Sequence, residues 1–360
     1  MIVAGTASGY RTPTPPKRPA EPATRRSRRT SGGRGRATVG EVRAATIVDG
    51  EVVVREHPDP VPGAGEVLVR VGAAGVNAAD LMQRAGHYPA PPGAPPDIPG
   101  LELAGEVVGV GPYALRFAPG DRVMAVVGGG GQAELCVVHE RLAMPVPGGV
   151  GDEAAGGFPE AFTTAHDALF SQCGLAMGER VLVSGAAGGV GSAAVQLAAA
   201  AGATVTGSVR RETMRDAVAA LGARVLDPAD VAGSGPYDVV LELVGAPNLA
   251  LDLAELAVGG RIAVIGTGAG SRTEVDLRTM MVKRALLRGS TLRARPLEAK
   301  ADAARRVEAH VLPLLQRGAV AVPVAATFPL DEVTAAYERF AAGAKFGKVV
   351  LTMPGWSGGE

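Results

Sequence analysis

Between Arg43 and Ala143 the apolar positions come in short runs cut by Gly and Pro: AATIV (44–48), EVVVRE (51–56), EVLVRVGAAGV (66–76), LAGEVVGVG (103–111), DRVMAVV (121–127) and QAELCVV (132–138). Short β-prone runs at this spacing, with turn residues between them, predict a compact all-β barrel. PAPPGAPPDIPG (89–100) is too rich in Pro to be anything but loop. From about Asp152 the period changes. AAGGFPEAFTTAHDALF (154–170) reads as helical after Pro159, and apolar strands then alternate with helical stretches: RVLVSGA (180–186), VGSAAVQLAAAAG (190–202), ATVTGSV (203–209), ETMRDAVAALG (212–222), YDVVLELVG (237–245), ALDLAELAVG (250–259) and RIAVIGT (261–267). Wholly apolar strands alternating with helices predict an α/β domain with a doubly wound parallel sheet. TFPLDEVTAAYERFAAGAKFGKVVL (327–351) predicts a helix and one strong strand that returns to the first domain.

Val181 to Val209 is 29 residues without a charge, long enough for a membrane span. Its six Gly and its change of pattern fit strand, turn, helix and second strand better, so no membrane segment is expected. Two Cys, Cys136 and Cys173, cannot make a disulfide framework or a Cys-rich zinc lobe. Both read as small buried hydrophobes, and a reducing, cytoplasmic setting is expected.

Charge changes the picture at one end. The 36 basic and 36 acidic residues balance, but nine basic residues and only Glu21 among the acids lie in residues 1–40, leaving 41–360 at −8. This Pro/Arg/Ser/Gly tail has no hydrophobic periodicity and is expected to be disordered. Three explanations compete: a start placed too early, with Val39 a natural beginning; an inert solvated tail; or a targeting or polyanion-binding arm. Aromatics make up only 4% of the chain, which argues against a base-stacking nucleic-acid binder.

RVLVSGAAGGVG (180–191) carries the chemistry. A strand ends at Ala186, a helix begins near Val190, and Gly185-x-x-Gly188-x-x-Gly191 lies between. Glycines let the backbone turn sharply and approach a pyrophosphate, and the helix N-terminus offers free N–H groups. Gly188, Gly189, Val190 and Gly191 are therefore candidate cofactor contacts; a tight structural turn is the alternative. An NAD site places an acid about 20 residues further on. Here Ser208 ends the second strand, and Arg210 and Arg211 follow. Guanidinium groups at that loop suit a ribose 2′-phosphate, so NADPH is expected over NADH. Two solvated surface arginines are the alternative.

Taken with GVNAADLMQRAGHYPAPPGA (75–94), PGLELAGEVVGVG (99–111), GGGGQAELCVV (128–138), FPEAFTTAHDAL (158–169) and FPLDEVTAAYERFAAGAKFGKVVL (328–351), this segment resembles the medium-chain dehydrogenase/reductase superfamily, in its zinc-independent quinone oxidoreductase branch. The resemblance spans roughly 41–354. It implies a GroES-like β-barrel catalytic domain (41–160 and 294–360) with an inserted Rossmann domain (161–293), and a homodimer formed near LLRGSTL (286–292). It also implies an NADPH-dependent reductase acting on a quinone. Zinc-dependent relatives carry Cys, His and Cys where this chain has Asn77, Leu101 and Glu160, too few ligands for catalytic zinc; no metal is expected.

Asn77, Asp80, Gly86 and Tyr88 match a pattern that the family places at the active-site wall. Asn77 is expected to hydrogen-bond cofactor or substrate, and Tyr88 to stack on a quinone or donate a proton. The alternatives are a Tyr88 that caps the Pro-rich loop and an Asn77 that satisfies turn backbone. Asp80 reads as a local cap. Thr164 matches a family contact to the nicotinamide half, with a helix-buried hydroxyl as the alternative. Val244 and Gly266 end later strands at the sheet's carboxyl edge, where ligands sit. Gly128–Gly131 reads as a hairpin connection rather than a loop over substrate. Rival functions are reduction of an enone or enoyl thioester, with Tyr88 as proton donor, and a non-catalytic nucleotide- or RNA-binding role using the basic tail.

Overall fold

The computed structural model describes residues 40–354. The readings of the basic tail fall outside them. Strand β1 (Glu41–Val48) turns through Asp49 and Gly50, at φ 50° and 80°, into β2 (Glu51–Pro58), the Asp-Gly hairpin signal that a two-residue turn favours. Then come β3 (Glu66–Val76), β4 (Glu102–Val110), β5 (Arg122–Val126), β6 (Leu135–His139) and β7 (Ala143–Pro145). A second series follows: β8 (Arg180–Ser184), β9 (Thr204–Ser208), β10 (Ala223–Leu226), β11 (Tyr237–Glu242), β12 (Leu256–Val264) and β13 (Leu286–Gly289). The last two strands are β14 (Val324–Pro329) and β15 (Lys348–Thr352).

Two larger sheets result. One has seven strands, in the order β14-β15-β3-β4-β5-β7 with β6 also on β3. Because β15 pairs antiparallel with β3, the end of the chain does return to the first domain. The other sheet has six parallel strands, β10-β9-β8-β11-β12-β13. The order runs outward from β8 in both directions, so the carboxyl ends of β8, β9 and β11 surround a switch point, where open α/β sheets bind ligands. This is a GroES-like barrel joined to a Rossmann-like sheet, the expected α/β class. One core cluster joins Phe158, Phe162 and Leu169 to Val181, Val183 and Leu241 of the parallel sheet.

Helix α1 (Ala78–Arg84) follows β3; α2 (Asp152–Gly157) and α3 (Pro159–His166) bridge the sheets; and α4 (Gly189–Ala200) follows β8. Three local expectations need correction. Gly128–Gly131 is not a hairpin: β5 pairs with β4 and β7, whereas β6 pairs with β3. The segment instead lies against the Pro-rich loop. Gly130 N–H donates to Ile98 O (2.9 Å), and a Cβ at Gly100 would stand 2.4 Å from Gln132 N. The helix expected over 250–259 stops at Ala254, because Leu256–Val264 is drawn into parallel pairing with β11. The helix after Pro159 changes to a π-helix over Asp167–Gln172. Both Cys are buried, and burial pushes Cys136 up to about 12 and Cys173 to about 11, as inert thiols require. No helix among the described residues is long and apolar enough to cross a membrane.

Candidate active site

The glycine loop has the expected geometry. Gly185 leaves β8 at φ 72°, a region that favours glycine. Gly188 is the N-cap of α4; Gly189, Val190 and Gly191 form its first turn. A Cβ at Gly191 would lie 2.4 Å from Gly185 O, so helix and loop approach only because no side chain intervenes. Beside the loop is a cleft of about 180 Å³ that brings Gly188 together with Ser208, Arg210 and Arg211. Both arginines are exposed and, among the described residues, pair with no acid. The cleft therefore joins backbone donors to two free guanidinium groups, a donor set that fits a pyrophosphate and a ribose phosphate.

Val244 and Gly266 stand just past the carboxyl ends of β11 and β12. Gly185 would meet Val244 Cγ2 at 3.4 Å if it had a Cβ, so the two loops adjoin. Glu242 holds this corner: its Oε1 accepts the N–H groups of Val244 (2.5 Å) and Gly245 (2.6 Å), and Oε2 accepts Asn248 Nδ2 (3.1 Å). Burial, then the Glu242 charge, pushes the neighbouring Asp252 carboxyl up to about 9.

Asn77 sits at the start of α1, facing a polar cluster that the sequence reading missed. Lys348 Nζ on β15 donates to Asn77 Oδ1 (2.6 Å) and to Glu102 Oε1 (2.5 Å), and Asn77 Nδ2 donates to Glu102 Oε1 (2.9 Å). The other oxygen, Glu102 Oε2, accepts Glu160 N–H (2.8 Å). Two glycines make room: a Cβ at Gly75 would stand 2.1 Å from Glu102 Oε1, and one at Gly189 would stand 2.7 Å from Lys348 Cδ. Gly347 N–H donates to Ala187 O (2.9 Å), which stitches β15 to the glycine loop. Asp80 is the local cap expected of it. It accepts Asn77 N–H (2.8 Å) and Gly100 N–H (3.1 Å), and burial pushes its carboxyl up to about 7 against those bonds.

Tyr88 is half-buried at the same wall. Arg293, 3% exposed, lies 5.1 Å from its ring centroid and donates to Tyr88 O (2.9 Å), Gly128 O (2.7 Å) and Gln83 Oε1 (2.5 Å). One guanidinium thus ties the Tyr88 loop, the glycine segment and α1 together. Burial raises the Tyr88 phenol, with Arg293 opposing. Thr164 is buried one turn after Glu160, and its Oγ1 is 3.4 Å from Glu160 Oε1. Burial, and next the Glu102 charge, pushes Glu160 up to about 7. Leu101 is a core residue, and no three His, Cys, Asp or Glu side chains among the described residues converge to hold a metal. A separate cavity of about 670 Å³, behind the Pro-rich loop, is lined by none of Asn77, Tyr88, Glu160 or Thr164.

Lys348 and Glu160 lie inside motifs already singled out, FGKVVL and FPEAFTTA, but the partners of the Lys348 ammonium and of the Glu160 N–H are remote in sequence. Arg293 carried no signal.

Known proteins agree with this architecture. Residues 63–174 match the alcohol dehydrogenase GroES-like domain, and 204–351 match the zinc-binding dehydrogenase domain. The chain is 31% identical over 308 residues to the quinone oxidoreductase of Homo sapiens, covering 82% of this chain and 91% of that protein. It is likewise 31% identical over 330 residues to the acryloyl-coenzyme A reductase of Metallosphaera sedula, covering 83% and 96%. The crystal structure of a thermostable alcohol dehydrogenase from Pyrobaculum aerophilum superposes with a TM-score of 0.76 at 30% identity, covering 87% of this chain and all of that one. With the barrel, the parallel sheet and the glycine loop in the expected order, the chain belongs to the medium-chain dehydrogenase/reductase superfamily of oxidoreductases.

Proposed function

We propose that the protein is an NADPH-dependent quinone oxidoreductase that works without a catalytic metal. The observation that carries this reading is the Lys348–Glu102–Asn77 cluster. An ammonium group is bonded to Asn77 Oδ1 where zinc-dependent relatives have a metal ligand, so that oxygen is already spent on Lys348. Asn77 and Leu101 offer no thiolate or imidazole, and Glu160 alone makes one carboxyl ligand of the three a catalytic zinc needs. The donor set does not fit zinc.

A nicotinamide dinucleotide phosphate fits better. Gly188, Gly189, Val190 and Gly191 would cradle the pyrophosphate; Ser208, Arg210 and Arg211 would take the 2′-phosphate. Val244, Gly266 and Thr164 would line the nicotinamide half. Once bound, the cofactor supplies the hydride. The chain's own residues orient the acceptor through Tyr88, beside an Asn77 that Lys348 and Glu102 hold in place. A quinone tolerates the missing Lewis acid because it is already a good acceptor. Consumption of NADPH when an ortho-quinone is added to the purified protein tests this; tight NADPH binding without turnover would refute it.

Reduction of an enone or enoyl thioester is the second reading. The likeness to an acryloyl-coenzyme A reductase over 96% of that protein favours it. The substrate class is therefore a conjugated carbonyl compound. A homodimer through β13 also belongs to this reading: β13 is an exposed edge strand that carries the exposed Leu286 and Leu287, and Leu277, Met281 and Val282 of the preceding helix (Leu277–Lys283) are exposed as well.

A further inference from the structure

In the polar cluster around Asn77 the side chains satisfy one another; Glu160, beside it, does not. Lys348, Asn77 and Glu102 are mutually bonded, and Arg293 spends its bonds on three neutral acceptors. Glu160 differs. Its Oε1 meets only the Thr164 hydroxyl, at 3.4 Å, and its Oε2 is buried without a hydrogen-bond partner in the protein. Leaving a buried carboxyl oxygen unpartnered is costly, and such an atom calls for a role. Glu160 is also held rigidly. It opens α3 behind Pro159, and its N–H is fixed on Glu102 Oε2.

We propose that Glu160 is the catalytic acid, donating from Oε2 the proton that the substrate carbonyl oxygen takes up. The proposal rests on the reductase reading above. On a vinyl ketone the β-carbon gains a hydride, with its two electrons, from a reduced nicotinamide, and the conjugated π electrons move onto the carbonyl oxygen. The Oε2–H bond breaks as the new O–H bond forms; the enol then gives up its O–H proton to water as its α-carbon takes one, which yields the ketone. On a quinone the hydride goes to a ring carbon of the conjugated system, and that carbon afterwards loses a proton to water as the second oxygen gains one, which restores the aromatic ring. In both cases the Glu160 carboxylate takes up a proton from water before the next turnover. Two electrons leave the nicotinamide and two enter the substrate.

The groups that face Glu160 suit this role. Glu102 and Asp80 oppose its ionisation, and Lys348 and Thr164 favour it. Tyr88 and Arg293 complete the surroundings. Burial is the largest cause, and together with these neighbours it raises the carboxyl to about 7, so that about half of it holds its proton at neutral pH and can still release it. Tyr88 is less suited, because burial raises an already weak acid.

The test compares wild type, Glu160→Gln, Glu160→Asp and Tyr88→Phe as full chains with NADPH, an ortho-quinone and a vinyl ketone. Wild-type kcat should fall as pH rises through about 7. Glu160→Gln should lose that limb and about a hundredfold in kcat on the vinyl ketone, less on the quinone, whose reduced oxygens take protons from water. Its NADPH affinity by calorimetry should stay within about twofold. Glu160→Asp should retain the limb at lower kcat, as should Tyr88→Phe. The infrared spectrum of the protein without substrate, below neutral pH, should contain a carboxylic-acid carbonyl band missing from Glu160→Gln. An unchanged rate and pH profile in Glu160→Gln, or no such band, overturns the proposal. A wild type that binds NADPH and reduces neither acceptor overturns the reductase reading instead, and the proposal with it.

Discussion

Replacing Lys348 with Met tests how much the buried cluster joining β15, β4 and the start of α1 contributes to stability. The ammonium is 2.5 Å from Glu102 Oε1 and 2.6 Å from Asn77 Oδ1, and Lys348 is 3% exposed. Removing one partner of a buried ion pair strands the other and typically costs about 3–5 kcal/mol. Two donors to Glu102 survive, Asn77 Nδ2 and Glu160 N–H, which places the loss near the lower end of that range, at about 3 kcal/mol. Unfolding entropy is about 2.1 cal/mol/K per residue, or roughly 0.66 kcal/mol/K over residues 40–354, so Tm should drop by about 5 °C. The Lys348→Met, Glu102→Gln double variant should recover much of this, because no buried charge is left alone. Scanning calorimetry of the two single variants and the double variant reads the coupling directly. A Lys348→Met protein within about 1 °C of wild type, or a double variant as unstable as the sum of the singles, would show that the cluster is not an energetically coupled unit.

Replacing both Arg210 and Arg211 with Ala should weaken NADPH binding by roughly 10- to 100-fold, as loss of one or two charge-assisted bonds implies, and leave NADH within about twofold; equal weakening of both would remove the 2′-phosphate from their role. Asp252→Asn should flatten a pH dependence of stability. The wild-type carboxyl is raised to about 9 by burial and Glu242, so the stability it contributes is present at low pH and lost as pH rises from the unfolded carboxylate range toward 9. The Asn variant should therefore gain Tm relative to wild type at pH 8 and gain less at pH 5; an equal difference at both would contradict this.

Local chemistry was legible in the sequence; long-range partners were not. Gly185, Gly188 and Gly191 announce themselves, because strand, turn and helix follow each other within a dozen residues. Ser208, Arg210 and Arg211 follow from counting along the same unit, and the structure gathers them into one cleft. The return of β15 to the barrel was also readable from its apolar run. By contrast, Lys348 lies 271 residues from Asn77, and Arg293 lies 205 from Tyr88. Neither spacing nor periodicity encodes such pairs. The Gly128–Gly131 segment looked like a hairpin because two strand-like runs flank it, but tertiary pairing of β6 with β3 overrides that local signal. The helix over 250–259 was overextended for the same reason: an apolar run of Leu, Ala and Val is equally at home in β12.

The proposed reaction transfers hydride from NADPH to a conjugated carbonyl compound at a site where a lysine, not a metal, sits beside Asn77. The most direct measurement is kcat/KM for NADPH with an ortho-quinone, before and after exhaustive dialysis against a chelator, with the metal content of each sample determined. The same value is expected in both, with no stoichiometric zinc in either. Activity that disappears with the chelator and returns with added zinc would contradict it.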